Sequence, residues 1–189
     1  MARTRSGSAS GAMPLALELL AADHRKVEDL FQQFEDEKDG DEGTKRALAQ
    51  TICGELTAHT KLEEELFYPW LRENMDEMEK IEEAYVEHAS AKDLIAQIQG
   101  AGSMDEAFDA KVKVLSEYIK HHVGEEEKEI FPEVRGMQEE LDELGQEMAA
   151  RKAELMEELG LDQAGAAQQL SARGGREGGR SRQGAGSSR

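Results

Sequence analysis

Six residues carry the chemistry legible in this 189-residue chain: His24, His59, Glu63, His88, His122 and Glu126. They fall in an internal repeat. His59-Thr-Lys-Leu-Glu63-Glu64, with Phe67-Tyr68-Pro69 after it, matches His122-Val-Gly-Glu-Glu126-Glu127 followed by Ile130-Phe131-Pro132, at an offset of 63. The stretches before them match at an offset of 64, where His24, Asp29-Leu30 and Gln33 answer to His88, Asp93-Leu94 and Gln97. The chain therefore reads as a duplicated helix pair, each half supplying one His and then His-x-x-x-Glu.

A single His on an apolar helix face is usually a core histidine with one hydrogen bond. Here that would have to hold four times, twice with a Glu one turn away, and a carboxylate buried without a partner is costly. A metal removes both costs, since neutral imidazole and carboxylate are standard ligands. Spacing of four residues stacks His and Glu on one face, so six ligands converge at one level. That is too many for tetrahedral zinc and too nitrogen-rich for calcium or magnesium. It suits two octahedral iron or manganese ions, or a mixed pair, bridged by the two carboxylates and a shared oxo or hydroxo; a single metal stays open. Octahedral counting leaves about two positions for water, dioxygen or peroxide. The rival Glu-x-x-His arrangement fails, because the residues three before each His are Ala21, Leu56, Tyr85, Tyr118 and Ile119.

Positioning these groups requires helices, and apolar periodicity predicts five. The first, about 14–37, carries Leu17, Leu20, His24, Val27, Phe31 and Phe34 on one face. The second, about 44–73, carries Leu48, Ile52, Leu56, His59, Glu63 and Leu66, with Pro69 expected to kink or end it. The third, about 76–99, shows Met78, Ile81, Tyr85, His88, Ile95 and Ile98. The fourth opens on a capping-box pattern, Ser103 to Glu106, and runs through Phe108, Val112, Leu115, Ile119, His122, Glu126 and Ile130 to Pro132. A fifth, about 137–159, spaces Met137, Leu141, Leu144, Met148, Leu155 and Leu159 in near-heptads. Short connections imply an all-α, antiparallel up-down-up-down four-helix bundle at 13–136 with an additional helix at 137–160. Residues 1–12 and 161–189, Gly/Ser/Arg-rich, are expected to be disordered tails.

The formal charge is −18, and the body 13–160 alone, with 16 bases and 39 acids, carries −23. Such an excess argues against nucleic acid or anionic membrane as a partner. No apolar run nears the roughly 18–20 residues of a membrane span. The single Cys excludes a disulfide framework and fits a reducing, cytoplasmic setting.

These residues resemble the hemerythrin-like HHE cation-binding domain, over about Leu15 to Val134. The likeness rests on Asp23-His24-Arg25, His59-x-x-x-Glu63-Glu64 with Phe-Tyr-Pro, Glu87-His88, and His122-x-x-x-Glu126-Glu127 with Phe-Pro. It implies a four-helix bundle around a non-haem diiron centre, with dioxygen, peroxide or nitric oxide as the small ligand. It also implies oxygen or iron sensing, storage or detoxification, with catalase- or peroxidase-type activity or a metal-dependent interaction module as alternatives. Position by position it makes His24, His59, Glu63, His88, His122 and Glu126 the ligands. Two departures stand out. Oxygen carriers have a second His one turn from the third-helix ligand, where this chain has Ala84 and Lys92. They also have Asp five residues after the fourth-helix His, where this chain offers Glu126 at four and Glu127 at five. The lost His implies a more open site, favouring catalysis or sensing over carriage.

Around the six, Asp23, Glu55, Glu64 and Glu127 flank the ligand turns as groups able to orient imidazoles. Tyr118 and Tyr85 precede His122 and His88 by about a turn, and His121 sits about 100° round the helix from His122; whether His121, Tyr118, Tyr85 or Glu127 joins the inner ring stays open. No residue is assigned to catalysis. Cys53 reads as a small core residue. The fifth helix is expected either to fold back on the bundle or to pair two copies as a homodimer.

Overall fold

The computed structural model describes residues 12–37, 40–76, 79–104 and 106–161, and among these every element is helical. The expected disordered tails lie outside the described residues, apart from their innermost positions. Helix α1 spans Leu15–Asp36. Helix α2 runs through Glu42–Leu62, a widened turn Glu63–Phe67, and Tyr68–Asn74 without a break. Helix α3 is Glu79–Gln99. Helix α4 repeats the α2 pattern as Glu106–Glu125, a widened turn Glu126–Ile130, and Phe131–Val134. Helix α5 is Gln138–Glu158. The first four form the antiparallel bundle, and α5 folds back along α1 and α2.

Pro69 and Pro132 do not end their helices: α2 continues past Pro69 to Asn74, close to the expected 73, while α4 passes the end expected at Pro132. A proline inside an α-helix removes one hydrogen bond and strikes the carbonyl four residues back. Here the turn before each proline is opened instead: the Tyr68 N–H donates to the Glu63 carbonyl and the Phe131 N–H to the Glu126 carbonyl, each spanning five residues. Such wide turns absorb the misfit and recur at functional sites. Both begin at the Glu of His-x-x-x-Glu.

Local signals set the ends. Asp41 caps α2, its side chain accepting from the Thr44 N–H at 2.9 Å. Pro14 offers α1 no such cap, and Asp142 of α5 accepts the Leu15 N–H at 2.8 Å in its place. The capping box expected at 103–106 includes Asp105, which lies outside the described residues.

The apolar core falls into two clusters. One holds Leu17, Leu20, Leu62, Phe67, Leu71, Ile81, Phe131 and the α5 residues Leu141, Met148 and Leu155. The other holds Val27, Phe31, Phe34, Leu48, Ile52, Leu56, Ile95, Phe108 and Leu115. Each of the four bundle helices passes from one cluster to the other across a candidate ligand: His24 lies between Leu20 and Val27, His59 between Leu56 and Leu62, His88 between Ala84 and Ala91, His122 between Ile119 and Ile130. The polar layer is thus a slab across the core. The α5 stripe that sequence also allowed for pairing two copies is spent within one chain, although Leu159 at its end is exposed.

The α1–α5 crossing is close because Gly145 lacks a side chain. A Cβ there would stand 2.5 Å from the Ala16 nitrogen and 2.8 Å from the Leu15 carbonyl carbon, both backbone atoms that cannot rotate away. Gly145→Ala should therefore lower unfolding stability by about 1–3 kcal/mol, read by urea denaturation; an unchanged midpoint would show that the crossing has slack.

Candidate metal centre

All six sequence-derived residues meet in the slab, each buried. One donor atom each from His24, His59, Glu63 and Glu126 lies within 4.8 Å of the others, and Glu63, His88 and His122 form a second such group. Glu63 belongs to both. The Nε2 atoms point inward: His24 lies 3.3 Å from Glu126 Oε2, His59 and His88 each 3.3 Å from Glu63 Oε2, and His122 3.7 Å from Glu126 Oε2.

The Nδ1 atoms point outward, each at a carboxylate. His24 faces Glu127 at 2.9 Å, His88 faces Glu64 at 2.9 Å and His122 faces Glu87 at 2.7 Å. His59 faces Asp23 at 3.6 Å, an ion-pair separation longer than a hydrogen bond. The internal repeat governs this ring, since Asp23 answers to Glu87 at offset 64 and Glu64 to Glu127 at offset 63. Behind three of the carboxylates stands a cation, Lys152 at Asp23, Arg25 at Glu127 and Lys92 at Glu64, while His121 lies 3.6 Å from Glu87. An imidazole whose outer nitrogen is fixed by a carboxylate presents its inner nitrogen as a lone pair, the arrangement that orients metal ligands.

Several flanking residues sort differently from expectation. Asp23, Glu64 and Glu127 do face ring nitrogens, whereas Glu55 pairs with Lys26 at 2.7 Å. Tyr118 is half exposed and Tyr85 packs edge-on against Tyr68 at 5.3 Å, so neither phenol reaches the inner ring. His121 is exposed as well. Two residues were missed. Glu87 was recoverable from its offset to Asp23. Tyr68 is fully buried, its hydroxyl donating to Glu126 Oε1 at 3.1 Å and lying 3.2 Å from His88 Nε2. Its repeat partner is Phe131, which stacks on His24 and can donate nothing.

Burial pushes His59 down to about 4, against the pull of Asp23. Burial lowers His88 too, against Glu64 and Glu126. For His24 and His122 burial works the same way, but Glu126 and the surrounding carboxylates outweigh it and both are raised. The two carboxylates divide. Burial and the charge of Glu126 push Glu63 well above the usual range. Glu126 is held below it, because the imidazoles of His122, His24 and His59 overcome burial.

The donor set fits a cation. His24 Nε2, both ring nitrogens of His59, both oxygens of Glu63 and Glu126 Oε2 are buried without a hydrogen-bond partner. Unpaired groups of this kind cost about 1–3 kcal/mol each.

Compared with known families, residues 15–134 match the hemerythrin HHE cation binding domain. The chain belongs to the hemerythrin HHE family. A cation-binding role follows from that membership and from the clusters above. Among curated proteins, this hemerythrin-domain chain is 29% identical over 151 residues to a protein named DNA nickase from Nostoc sp. (strain PCC 7120 / SAG 25.82 / UTEX 2576), covering 79% of this chain and 42% of that one. The chain thus spans less than half the length of that relative. Only 14 residues precede the family domain, so a likeness of that extent runs past Val134 into α5. No solved structure matches significantly.

Glu63→Met removes the buried carboxylate with little change in length. The metal-free variant should be more stable than the unaltered chain by about 1–3 kcal/mol. It should also lose the rise in melting temperature that added metal gives the unaltered chain. A metal-free variant that is no more stable would show that burying Glu63 costs nothing.

Proposed function

We propose that the chain is a non-haem diiron protein whose centre binds dioxygen or a related small oxidant, for oxygen or iron sensing, storage or detoxification. His24, His59, Glu63 and Glu126 would hold one metal, and His88 and His122 with the shared Glu63 the other. The observation that carries this reading is the two overlapping donor groups, four donors in one and three in the other. A bound iron pair supplies reversible redox change and Lewis acidity. The chain's own residues do the rest. The outer carboxylates fix the imidazole tautomers, the two apolar clusters keep bulk water from the slab, and the Tyr68 hydroxyl holds a proton at Glu126 Oε1.

Access supports a small ligand. A cavity of about 30 Å³ reaches from the surface to His122 and Glu126, with Ala84 in its wall. Ala84 is one of the two positions, with Lys92, where the extra His of oxygen carriers would fall, and the cavity opens beside it. A cavity of that size has room for water, a diatomic or peroxide.

A second reading, a metal-dependent interaction module, is favoured by α5. Lys152 donates to Asp23, which faces His59, and Arg151 donates to Glu65 in the widened turn at 2.7 Å. An element beyond the family domain is therefore tied to the centre, and in the Nostoc relative named DNA nickase the shared part is a minority of the chain. Nicking itself is not carried over, because a −23 body repels a DNA backbone.

The ferrous-loaded chain should change its near-ultraviolet and visible absorption on mixing with dioxygen, peroxide or nitric oxide, and Ala84→Val, which fills the cavity, should slow that change. Iron-loaded chain should also disproportionate peroxide faster than the same concentration of free iron. A rate equal to free iron would sink the enzymatic version; no spectral response to any of the three ligands would contradict oxidant binding. A partner or oligomeric state that changes on metal removal would favour the module.

A further inference from the structure

We propose that Glu87, His121 and Glu125 form a surface site for a divalent transition-metal cation, from which the buried centre is loaded. His121 is the one histidine outside the duplicated register, and the diiron reading does not make it a ligand. With Glu125 it makes a third His-x-x-x-Glu pair, shifted by one residue, or about 100°, from His122 and Glu126 on the same helix. His121 Nε2 lies 3.2 Å from Glu125 Oε1 and 3.6 Å from Glu87 Oε1, and one donor from each of the three lies within 4.8 Å of the others.

The position of this cluster gives it a purpose. Glu87 and Glu125 line the mouth of the same cavity whose inner wall is His122 and Glu126. Glu126 is 1% exposed, and its Oε2 has no hydrogen-bond partner. Glu87 belongs to both levels, with Oε1 toward His121 and Oε2 accepting from His122 Nδ1 at 2.7 Å. Glu83 and Glu129 add negative charge along the wall, against Lys80. A cation at the surface cluster therefore stands one cavity's length from the donor group that has only three members.

One imidazole with two carboxylates suits ferrous, manganous or zinc ions and lacks the all-oxygen shell of calcium or magnesium. Two carboxylates balance the charge of the ion. Three ligands at the surface, His121 exposed and Glu87 and Glu125 half-buried, bind it loosely, as a loading site requires, whereas the buried donors hold it. This inference rests on the diiron reading for the cation's destination.

Co²⁺ is the probe, added to the metal-free full-length chain and followed by its visible absorption. The unaltered chain should take up two ions tightly and a third weakly. His121→Ala and Glu125→Gln should each lose the weak ion, reach the same final occupancy of the tight pair, and fill it about tenfold more slowly, the low end of what charge focusing at a cleft gives. His121 is 65% exposed, so equal melting of variant and unaltered metal-free chains serves as the folding control. Filling at the unaltered rate in both variants, or retention of the weak ion, would overturn the loading site while leaving the centre intact. No tight Co²⁺ in any chain would overturn the diiron reading, and this one with it.

Discussion

Two carboxylates buried among four imidazoles, in the middle of a helical core, set the terms for the rest of this structure. Glu63 and Glu126 are at most 1% exposed, and an apolar core offers them nothing. Everything around them either supplies counter-charge or fixes the groups that do. Four inward nitrogens approach the two carboxylates, four outward nitrogens are turned to Asp23, Glu64, Glu87 and Glu127, and Lys152, Arg25, Lys92 and His121 back those in turn. Without a cation the innermost layer remains under-paired, which ties folding energy to metal binding.

Duplication built this arrangement, and its departures from symmetry are where function concentrates. The equivalent positions 68 and 131 hold Tyr and Phe, so only one half of the centre has a hydroxyl beside it. The equivalent carboxylates Asp23 and Glu87 have unlike neighbours behind them, Lys152 from α5 at one and the exposed His121 at the other. The α5 lysine makes a helix outside the family domain part of the centre's surroundings. At the other end of the site the cavity beside Ala84 opens the half of the centre that has fewer donors.

The bundle and the six inner residues were legible in sequence because both rest on local regularities. Apolar residues at helical spacing mark the buried faces, and His at those positions stands out against Leu, Ile and Val. What the sequence concealed has a common cause in the widened turns. Counting at 100° per residue, Tyr68 lies about 500° from Glu63 and falls well off its face. The five-residue hydrogen bond from Tyr68 to Glu63 widens that turn and brings the phenol back to the centre. The same turns carry the helices through Pro69, where sequence allowed a kink or an end, and through Pro132, where it placed an end. Glu87 was hidden for another reason: on an acidic surface a carboxylate beside the apolar stripe looks solvated, and only its offset from Asp23 distinguishes it. The fate of the α5 stripe depended on Gly145, whose role appears once the backbone of α1 is seen beside it.

The central claim is that the slab holds a coupled pair of iron ions. Mössbauer spectroscopy of the full chain loaded with iron-57 and oxidised in air tests it most directly. The account expects two irons per chain, antiferromagnetically coupled, giving quadrupole doublets without magnetic splitting at liquid-helium temperature in an applied field beyond that of the field itself. One iron per chain with the magnetic splitting of an isolated high-spin ferric ion, or no iron retained after gel filtration, would contradict it.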